Sequence, residues 1–68
     1  MEKCCWVIKV TYLKTGEVNF NEAYWTLEKC LGEMIRKIEP ENYRRINKYT
    51  MQDLDKELEY EAKLIDIF

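Results

Sequence analysis

Residues 4–20, CCWVIKVTYLKTGEVNF, contain the strongest structural signal in the sequence. Apolar and polar side chains alternate along residues 4–13, which is the pattern of a β-strand with one buried face. The apolar face of this predicted strand carries Trp6, Ile8, Val10 and Tyr12. A second apolar alternation follows within a few residues, so we expect the segment to form an antiparallel hairpin.

The hairpin loop is predicted from the segment Lys14-Thr15-Gly16. A three-residue loop of this kind places its glycine, Gly16, in the left-handed conformation that side chains with a Cβ adopt less readily. The loop fixes the register, and this register sets Val10 opposite Phe20. Val18 and Phe20 are therefore expected on the apolar face of the hairpin.

An amphipathic helix is predicted after the hairpin, with apolar side chains at helical spacing. These positions are Tyr24, Leu27, Leu31, Met34 and Ile38, with Cys30 and Ile35 widening the stripe. Either Asn21 or Thr26 can cap its start, and we favour Asn21 because a longer second strand would place Glu22 on the apolar face. Pro40 cannot continue a helix, so the helix should end near Ile38.

The second half of the chain predicts one short and one long helix. Tyr43, Ile46 and Tyr49 recur at threefold spacing, which suits a short helix opened by Pro40 or a tight irregular loop. Thr50 begins a capping-box pattern, and an apolar stripe then predicts an acidic helix over residues 51–66. The members of that stripe are Met51, Leu54, Leu58, Ala62 and Ile65. The expected fold is a single α+β domain over residues 1–68, a β-hairpin packed on an amphipathic helix and followed by a short helix or loop and an acidic C-terminal helix.

Length and composition argue against enzymatic, metal-binding and cofactor roles. The chain has 68 residues and no histidine, so the usual proton carrier near neutral pH is absent. Neither of its glycines belongs to a phosphate-binding loop. Cys4, Cys5 and Cys30 are an odd number, so we expect reduced thiols that behave as small apolar side chains, with neither a disulfide framework nor a closed zinc site.

The N-terminal segment predicts a cytoplasmic protein. Lys9 interrupts its apolar run, which is too short for a secretory signal. No stretch approaches the roughly 20 apolar residues that span a bilayer, so no membrane association is expected.

Charge is distributed unevenly along the chain, which predicts two alternative binding surfaces. Acidic residues dominate residues 52–68, and a carboxylate row on a helix favours a protein target with a basic surface. The residues assigned to this surface are Asp53, Asp55, Glu57 and Glu59. Basic residues dominate residues 36–48 and offer nucleic-acid contacts, which a sequence pI near 5.1 makes the less favoured alternative. The residues of this alternative are Tyr43, Arg44, Arg45, Lys48 and Tyr49.

The first strand predicts a third surface, because a lone hairpin leaves its outer edge with unpaired backbone groups. Pairing of this edge with a second copy would form a homodimer, in which Val7, Lys9 and Leu13 lie at the interface. Two alternatives stay open: the C-terminal segment covers the edge, or a target adds its own strand there.

A short chain rich in Tyr, Lys, Glu and Ile, with reduced cysteines, a hairpin, a helix and an acidic C-terminal helix, resembles the small phage-encoded inhibitors of bacterial defence, including anti-CRISPR proteins. The resemblance rests on size, composition and layout. It implies an inhibitor that binds a nucleic-acid-handling complex and blocks it by steric or electrostatic occlusion. The alternative function is a small dimeric regulator that contacts nucleic acid through Arg44, Arg45 and Lys48.

Overall fold

A computed structural model describes residues 3–67 as five β-strands and one α-helix. The elements in chain order are β1 (Lys3–Tyr12), β2 (Val18–Tyr24), α1 (Leu27–Arg36), a 3-10 turn (Pro40–Asn42), β3 (Tyr43–Asn47), β4 (Thr50–Asp53) and β5 (Leu58–Ile67). No helix in this part of the chain has the length and apolar character needed to cross a membrane.

The five strands form one antiparallel sheet in the order β2-β1-β5-β4-β3. β1 lies in the interior of the sheet and pairs with β5 along its whole length, from Lys3 opposite Ile67 to Tyr12 opposite Leu58. β2 and β3 are the two edge strands. The two strands that are farthest apart in sequence, β1 and β5, are therefore neighbours inside the sheet. The hairpin partners β2 and β3 lie at its edges.

The core lies between α1 and one face of the sheet. α1 contacts β1, β2 and β5. The buried cluster between α1 and the sheet includes Ile38, which follows α1, and Met51 from β4. Its other members are Ile8, Val10, Cys30, Met34, Tyr60 and Ala62. Cys5 and Val7 are also buried but lie outside this cluster, because alternate residues of β1 point to the other face. We call that second face, which α1 does not cover, the open face.

The predicted acidic C-terminal helix is wrong, and with it the ββα(α)α fold, because residues 50–67 form β4 and β5. From Leu58 to Leu64, apolar and polar residues alternate strictly, which is a strand pattern. Asp53 does not complete a helix cap. Its Oδ1 accepts hydrogen bonds from the backbone N–H groups of Asp55 and Lys56, each at 3.1 Å, and so stabilises the turn between β4 and β5.

The predicted short helix of residues 40–49 is also wrong. Only Pro40–Asn42 turn helically, as a 3-10 turn with Pro40 at its start. The chain then extends into β3, and the Leu54 N–H donates to the Asn42 carbonyl at 2.8 Å. That bond joins the beginning of β3 to the end of β4, so pairing with β4 competes with continuation of the helix.

The β1–β2 hairpin is present, but its predicted register is wrong near the loop. Gly16 has φ +78°, as expected. The Tyr12 N–H donates to the Glu17 carbonyl at 2.8 Å, so the loop contains one residue more than predicted. Thr11 consequently pairs with Val18. A shift of one residue moves side chains to the opposite face, so Val18 and Phe20 share the open face and are exposed.

A β-bulge opposite Ile8 corrects the register further along β2, where Val7 faces Ala23 and Trp6 faces Tyr24. The strand therefore continues to Tyr24, and Thr26 is the helix cap: its Oγ1 accepts from the Lys29 N–H at 3.2 Å. The favoured Asn21 cap is wrong. The bulge places both Asn21 and Glu22 opposite Ile8, so β2 continues past Glu22, the residue that had argued against a longer strand.

Phe20→Ala should lower the free energy of unfolding by less than about 1 kcal/mol, because the side chain is 57% exposed on the open face. The predicted register would instead give a loss of about 3 to 5 kcal/mol. Urea denaturation followed by circular dichroism measures the difference. Met34→Ala, at a fully buried position, is the control and should cost about 2 to 5 kcal/mol. Equal losses for the two variants would contradict the observed register.

Candidate functional site

An apolar cleft lies between the C-terminal end of α1 and the beginning of β3. Its volume is about 300 Å³, and it is lined by Ile35, Ile38, Pro40 and Tyr43. Ile38 is buried in the core and forms the floor, whereas Ile35 is 46% exposed. The volume matches the lower end of ligand-binding pockets, which are also predominantly apolar. The cleft can therefore accept one apolar side chain or a small apolar group.

The local sequence explains how the cleft forms. α1 ends at Arg36, and Pro40 starts the 3-10 turn that carries the chain back to the sheet. In that turn, the Asn42 N–H donates to the Glu39 carbonyl at 2.9 Å. The helix end and β3 are thereby held side by side, with Tyr43 facing α1 from the edge strand.

The backbone of β3 borders the cleft and offers hydrogen-bonding groups. In an antiparallel pair, the backbone groups of successive residues point alternately toward and away from the neighbouring strand. The Asn42 carbonyl accepts from the Leu54 N–H on the β4 side. The backbone N–H and carbonyl of Arg44 therefore also point toward β4, whereas those of Tyr43 and Arg45 point outward. The Tyr43 N–H is used by the Pro40 carbonyl. The outward groups left for a partner are the Tyr43 carbonyl and both the N–H and the carbonyl of Arg45.

The predicted basic residues all lie on the β3–β4 hairpin but do not form one patch. Arg44 faces the open side, with Gln52 opposite, whereas Arg45 faces the α1 side, with Met51 opposite. The Arg45 guanidinium also holds the hairpin turn, with Nε donating to the Asn47 carbonyl at 2.7 Å and Nη2 to the Lys48 carbonyl at 2.9 Å.

The two predicted tyrosines have structural contacts of their own. Tyr43 packs half-buried against the core. The Tyr49 ring stacks on Trp6, with ring centroids 5.8 Å apart and the Lys48 ammonium 5.6 Å from the Tyr49 centroid. One face of Tyr49 is therefore occupied by Trp6, and the stack joins the β3–β4 turn to β1.

The predicted acidic residues do not form a row, because the helix that was to carry them is absent. Asp53 is buried and bonded into the turn after β4, and Asp55 lies exposed in that turn. Glu57 has φ +55° and pairs with Lys14 at 3.2 Å. Glu59 lies on the open face and accepts from Gln52 at 3.0 Å.

The predicted free edge of β1 is wrong as well, because β2 and β5 occupy both of its sides. Of the alternatives left open by the sequence, coverage by the C-terminal segment is the one observed. Val7 is buried on the open face, Lys9 lies 3.8 Å from Glu61, and the Leu13 N–H donates to the Glu57 carbonyl at 3.0 Å. Along the described strand Lys3–Tyr12, no backbone edge remains for a homodimer.

Several side chains outside the cleft have pKa values that are shifted by their surroundings. A hydrogen bond from the Lys37 ammonium, at 3.2 Å, lowers the pKa of Glu22, and this pair links β2 to the end of α1. Burial raises the pKa of the Cys30 thiol. Burial, followed by the nearby charge of Asp53, raises the pKa of Tyr60. Within residues 3–67, no group of three or more His, Cys, Asp and Glu side chains is arranged to hold a metal ion.

Sequence reasoning missed the cleft because it assigned Ile35 and Ile38 together to the core-facing stripe. One available signal was the width of that stripe, which Ile35 extends beyond the positions that face the core. Comparisons with protein-family models, curated proteins and solved structures found no match to this chain.

Proposed function

We propose that this chain is a non-enzymatic protein-binding module that adds an extended segment of its partner to the outer edge of β3. The observation that carries the proposal is that this edge adjoins the apolar cleft, with Tyr43 belonging to both. Strand addition of this kind gains affinity from main-chain hydrogen bonds and specificity from side-chain pockets beside the edge.

The other edge strand is less suited to this role. β2 has a bulge opposite Ile8, and bulges interrupt the regular ladder that an added strand needs. Its carboxylate, Glu22, is already paired with Lys37. β3 also has an irregularity, at Ile46, but that position lies beyond the cleft and beyond the outward groups of Tyr43 and Arg45.

The chemistry of the cleft supports a binding role over catalysis. Three of its four lining side chains are aliphatic, and only the Tyr43 hydroxyl has a transferable proton. General acid–base or nucleophilic catalysis requires positioned groups with matched pKa values. The three free cysteines, Cys4, Cys5 and Cys30, support the reducing cytoplasm as the place of action within this proposal.

Inhibition of a nucleic-acid-handling complex stays a prediction from the resemblance. Steric occlusion is compatible with a partner strand bound at β3. Electrostatic occlusion by an acidic helix is not proposed, because that helix is absent. Nucleic-acid contact through the basic residues also stays a prediction, with less geometric support, because Arg44 and Arg45 point to opposite faces.

Panning a random-peptide display library against the purified chain tests the proposal. Enriched peptides, synthesised and titrated into the ¹⁵N-labelled protein, should shift the amide signals of Tyr43–Asn47 and of Ile35. Arg45→Pro should abolish this binding, because it removes an outward N–H that an added strand would use. A library that yields no enriched sequence, or peptides that shift only amides outside β3 and the cleft, would contradict the proposal.

Arg45→Ala is the matched control for Arg45→Pro. Both variants lose the guanidinium bonds to the β3–β4 turn, but the alanine variant keeps the backbone N–H. We expect Arg45→Ala to weaken peptide binding by no more than the roughly fivefold that one exposed ion pair contributes, and Arg45→Pro to abolish binding. Equal binding by the two variants would show that the β3 backbone does not take part. Circular dichroism of both proteins verifies that they remain folded.

A further inference from the structure

The β3–β4 hairpin carries a concentration of uncompensated positive charge, although the whole chain has a net charge of −2. Among the described residues, no carboxylate lies within ion-pairing distance of Arg44, Arg45 or Lys48. The cations that do have a carboxylate partner are Lys9, Lys14, Lys29, Arg36 and Lys37. Lys56 and Lys63 also have no carboxylate partner within the described part of the chain, but they lie apart, in the β4–β5 turn and on β5.

The positions of these charges along β3 define what an added strand would meet. Tyr43 and Arg45 face the α1 side, and Arg44 faces the open side. Every pair of neighbouring strands in this sheet is antiparallel, and residues opposite each other in such a pair share a face. A partner running antiparallel to β3 would place three successive residues opposite Arg45, then Arg44, then Tyr43 beside the cleft.

We propose that the segment bound at β3 is an acidic peptide strand in which two carboxylate residues are followed, toward the C-terminus, by an aliphatic or aromatic residue. The two carboxylates pair with Arg45 and Arg44, one on each face of the extended sheet. The apolar residue enters the cleft between Ile35 and Tyr43. This inference rests on the proposed function and specifies the chemistry of the partner.

Two other occupants fit these observations less well. A second copy paired at the same edge about a twofold axis would bring its arginines next to Arg44 and Arg45, and like charges across strands are destabilising. A nucleic acid would satisfy the positive charge, but it has neither the alternating N–H and carbonyl groups of a strand nor an aliphatic side chain for the cleft.

Short capped peptides with the central sequence Glu-Glu-Ile, Lys-Lys-Ile or Glu-Glu-Ser test the inference by titration into the ¹⁵N-labelled protein at low salt. We expect Glu-Glu-Ile to bind about tenfold more tightly than Lys-Lys-Ile, because two attractive surface pairs replace two repulsive ones. Added salt should reduce this difference. Glu-Glu-Ser should bind more weakly than Glu-Glu-Ile, because it leaves the cleft unfilled.

A charge exchange provides the second measurement. Arg44 is exposed, so Arg44→Glu should fold. The parent should bind a Glu-Glu-Ile peptide more tightly than a Glu-Lys-Ile peptide, and Arg44→Glu should reverse this order. An unchanged order would overturn the assigned register and the inference.

The outcomes separate this inference from the proposed function. If library-selected peptides bind at β3 but Glu-Glu-Ile binds no better than Lys-Lys-Ile, the acidic partner is excluded and the binding module remains. Concentration-dependent shifts of β3 amides without peptide would identify a second copy as the occupant. Shifts of the same amides by single-stranded oligothymidylate at equal concentration would identify a nucleic acid. Either of the last two results would overturn the inference.

Discussion

Ile8→Ala should lower the free energy of unfolding by about 2 to 5 kcal/mol, which is most or all of the stability of a domain this small. Ile8 is fully buried in the cluster between α1 and the sheet. It lies on β1, the strand that pairs with both β2 and β5. Truncation would leave a cavity within this cluster, and the pairing of β1 on both sides limits how far the surroundings can close it.

Thermal and urea denaturation measure this effect, with circular dichroism and tryptophan fluorescence as independent probes. Ile8→Val is the conservative comparison and should cost about 0.5 to 1.5 kcal/mol. Ile65→Ala, which truncates a residue 38% exposed on the open face, should cost less than Ile8→Ala. If Ile8→Ala and Ile65→Ala destabilised the protein equally, the described core would be wrong.

Asp53→Ala is the second change with a large expected effect, a loss of about 2 to 4 kcal/mol in the free energy of unfolding. The Asp53 side chain is 1% exposed, and its Oδ1 accepts from two backbone N–H groups at 3.1 Å. Hydrogen bonds to charged groups contribute about 1.5 to 3 kcal/mol each, and water recovers part of the loss in the partly exposed turn. Without this acceptor, the turn that directs β5 back along β1 loses its side-chain support.

Asp53→Asn keeps an acceptor oxygen and should be less destabilising than Asp53→Ala. Asp55→Ala changes an exposed carboxylate two residues away in the same turn and should alter stability by no more than about 0.5 kcal/mol. Urea denaturation at neutral pH compares the three proteins. Equal stability of Asp53→Ala and Asp55→Ala would show that the buried carboxylate does not support the turn.

The first half of the fold could be predicted because its signals are local. The alternation along β1 and the glycine in the loop identify a hairpin, and the apolar stripe around Met34 identifies α1. The details that failed depend on single residues: one extra loop residue moved Phe20 to the open face, and one bulge allowed β2 to reach Tyr24. An extra loop residue or a bulge barely changes the alternation of apolar and polar residues, so the sequence does not reveal it.

The second half could not be predicted reliably because its pattern fits two structures. Leu54, Leu58, Ala62 and Ile65 recur at helical spacing, and Leu58, Tyr60, Ala62 and Leu64 recur at strand spacing. Local propensity is a weak determinant of the choice between them. The available edge of β1 favours the strand, because β5 pairs with that edge along its full length.

For the candidate site, too, the sequence identified one part and missed another. The sequence identified Tyr43, Arg44, Arg45 and Lys48 as a basic segment with aromatic side chains, and all four belong to the β3–β4 hairpin. The cleft beside them was not predictable, because it forms where the end of α1 meets β3 across the 3-10 turn.

The sequence by itself determined the first strand, the presence of its hairpin, the amphipathic helix and the segment in which basic residues are concentrated. Only the tertiary structure decided that residues 50–67 are strands, that β1 lies inside the sheet and that β3 is an edge beside an apolar cleft. The physical reason is the range of the interactions. Alternation, capping and turn preferences act between residues close in the chain, whereas the pairing of β1 with β5 joins backbone groups from opposite ends of the chain.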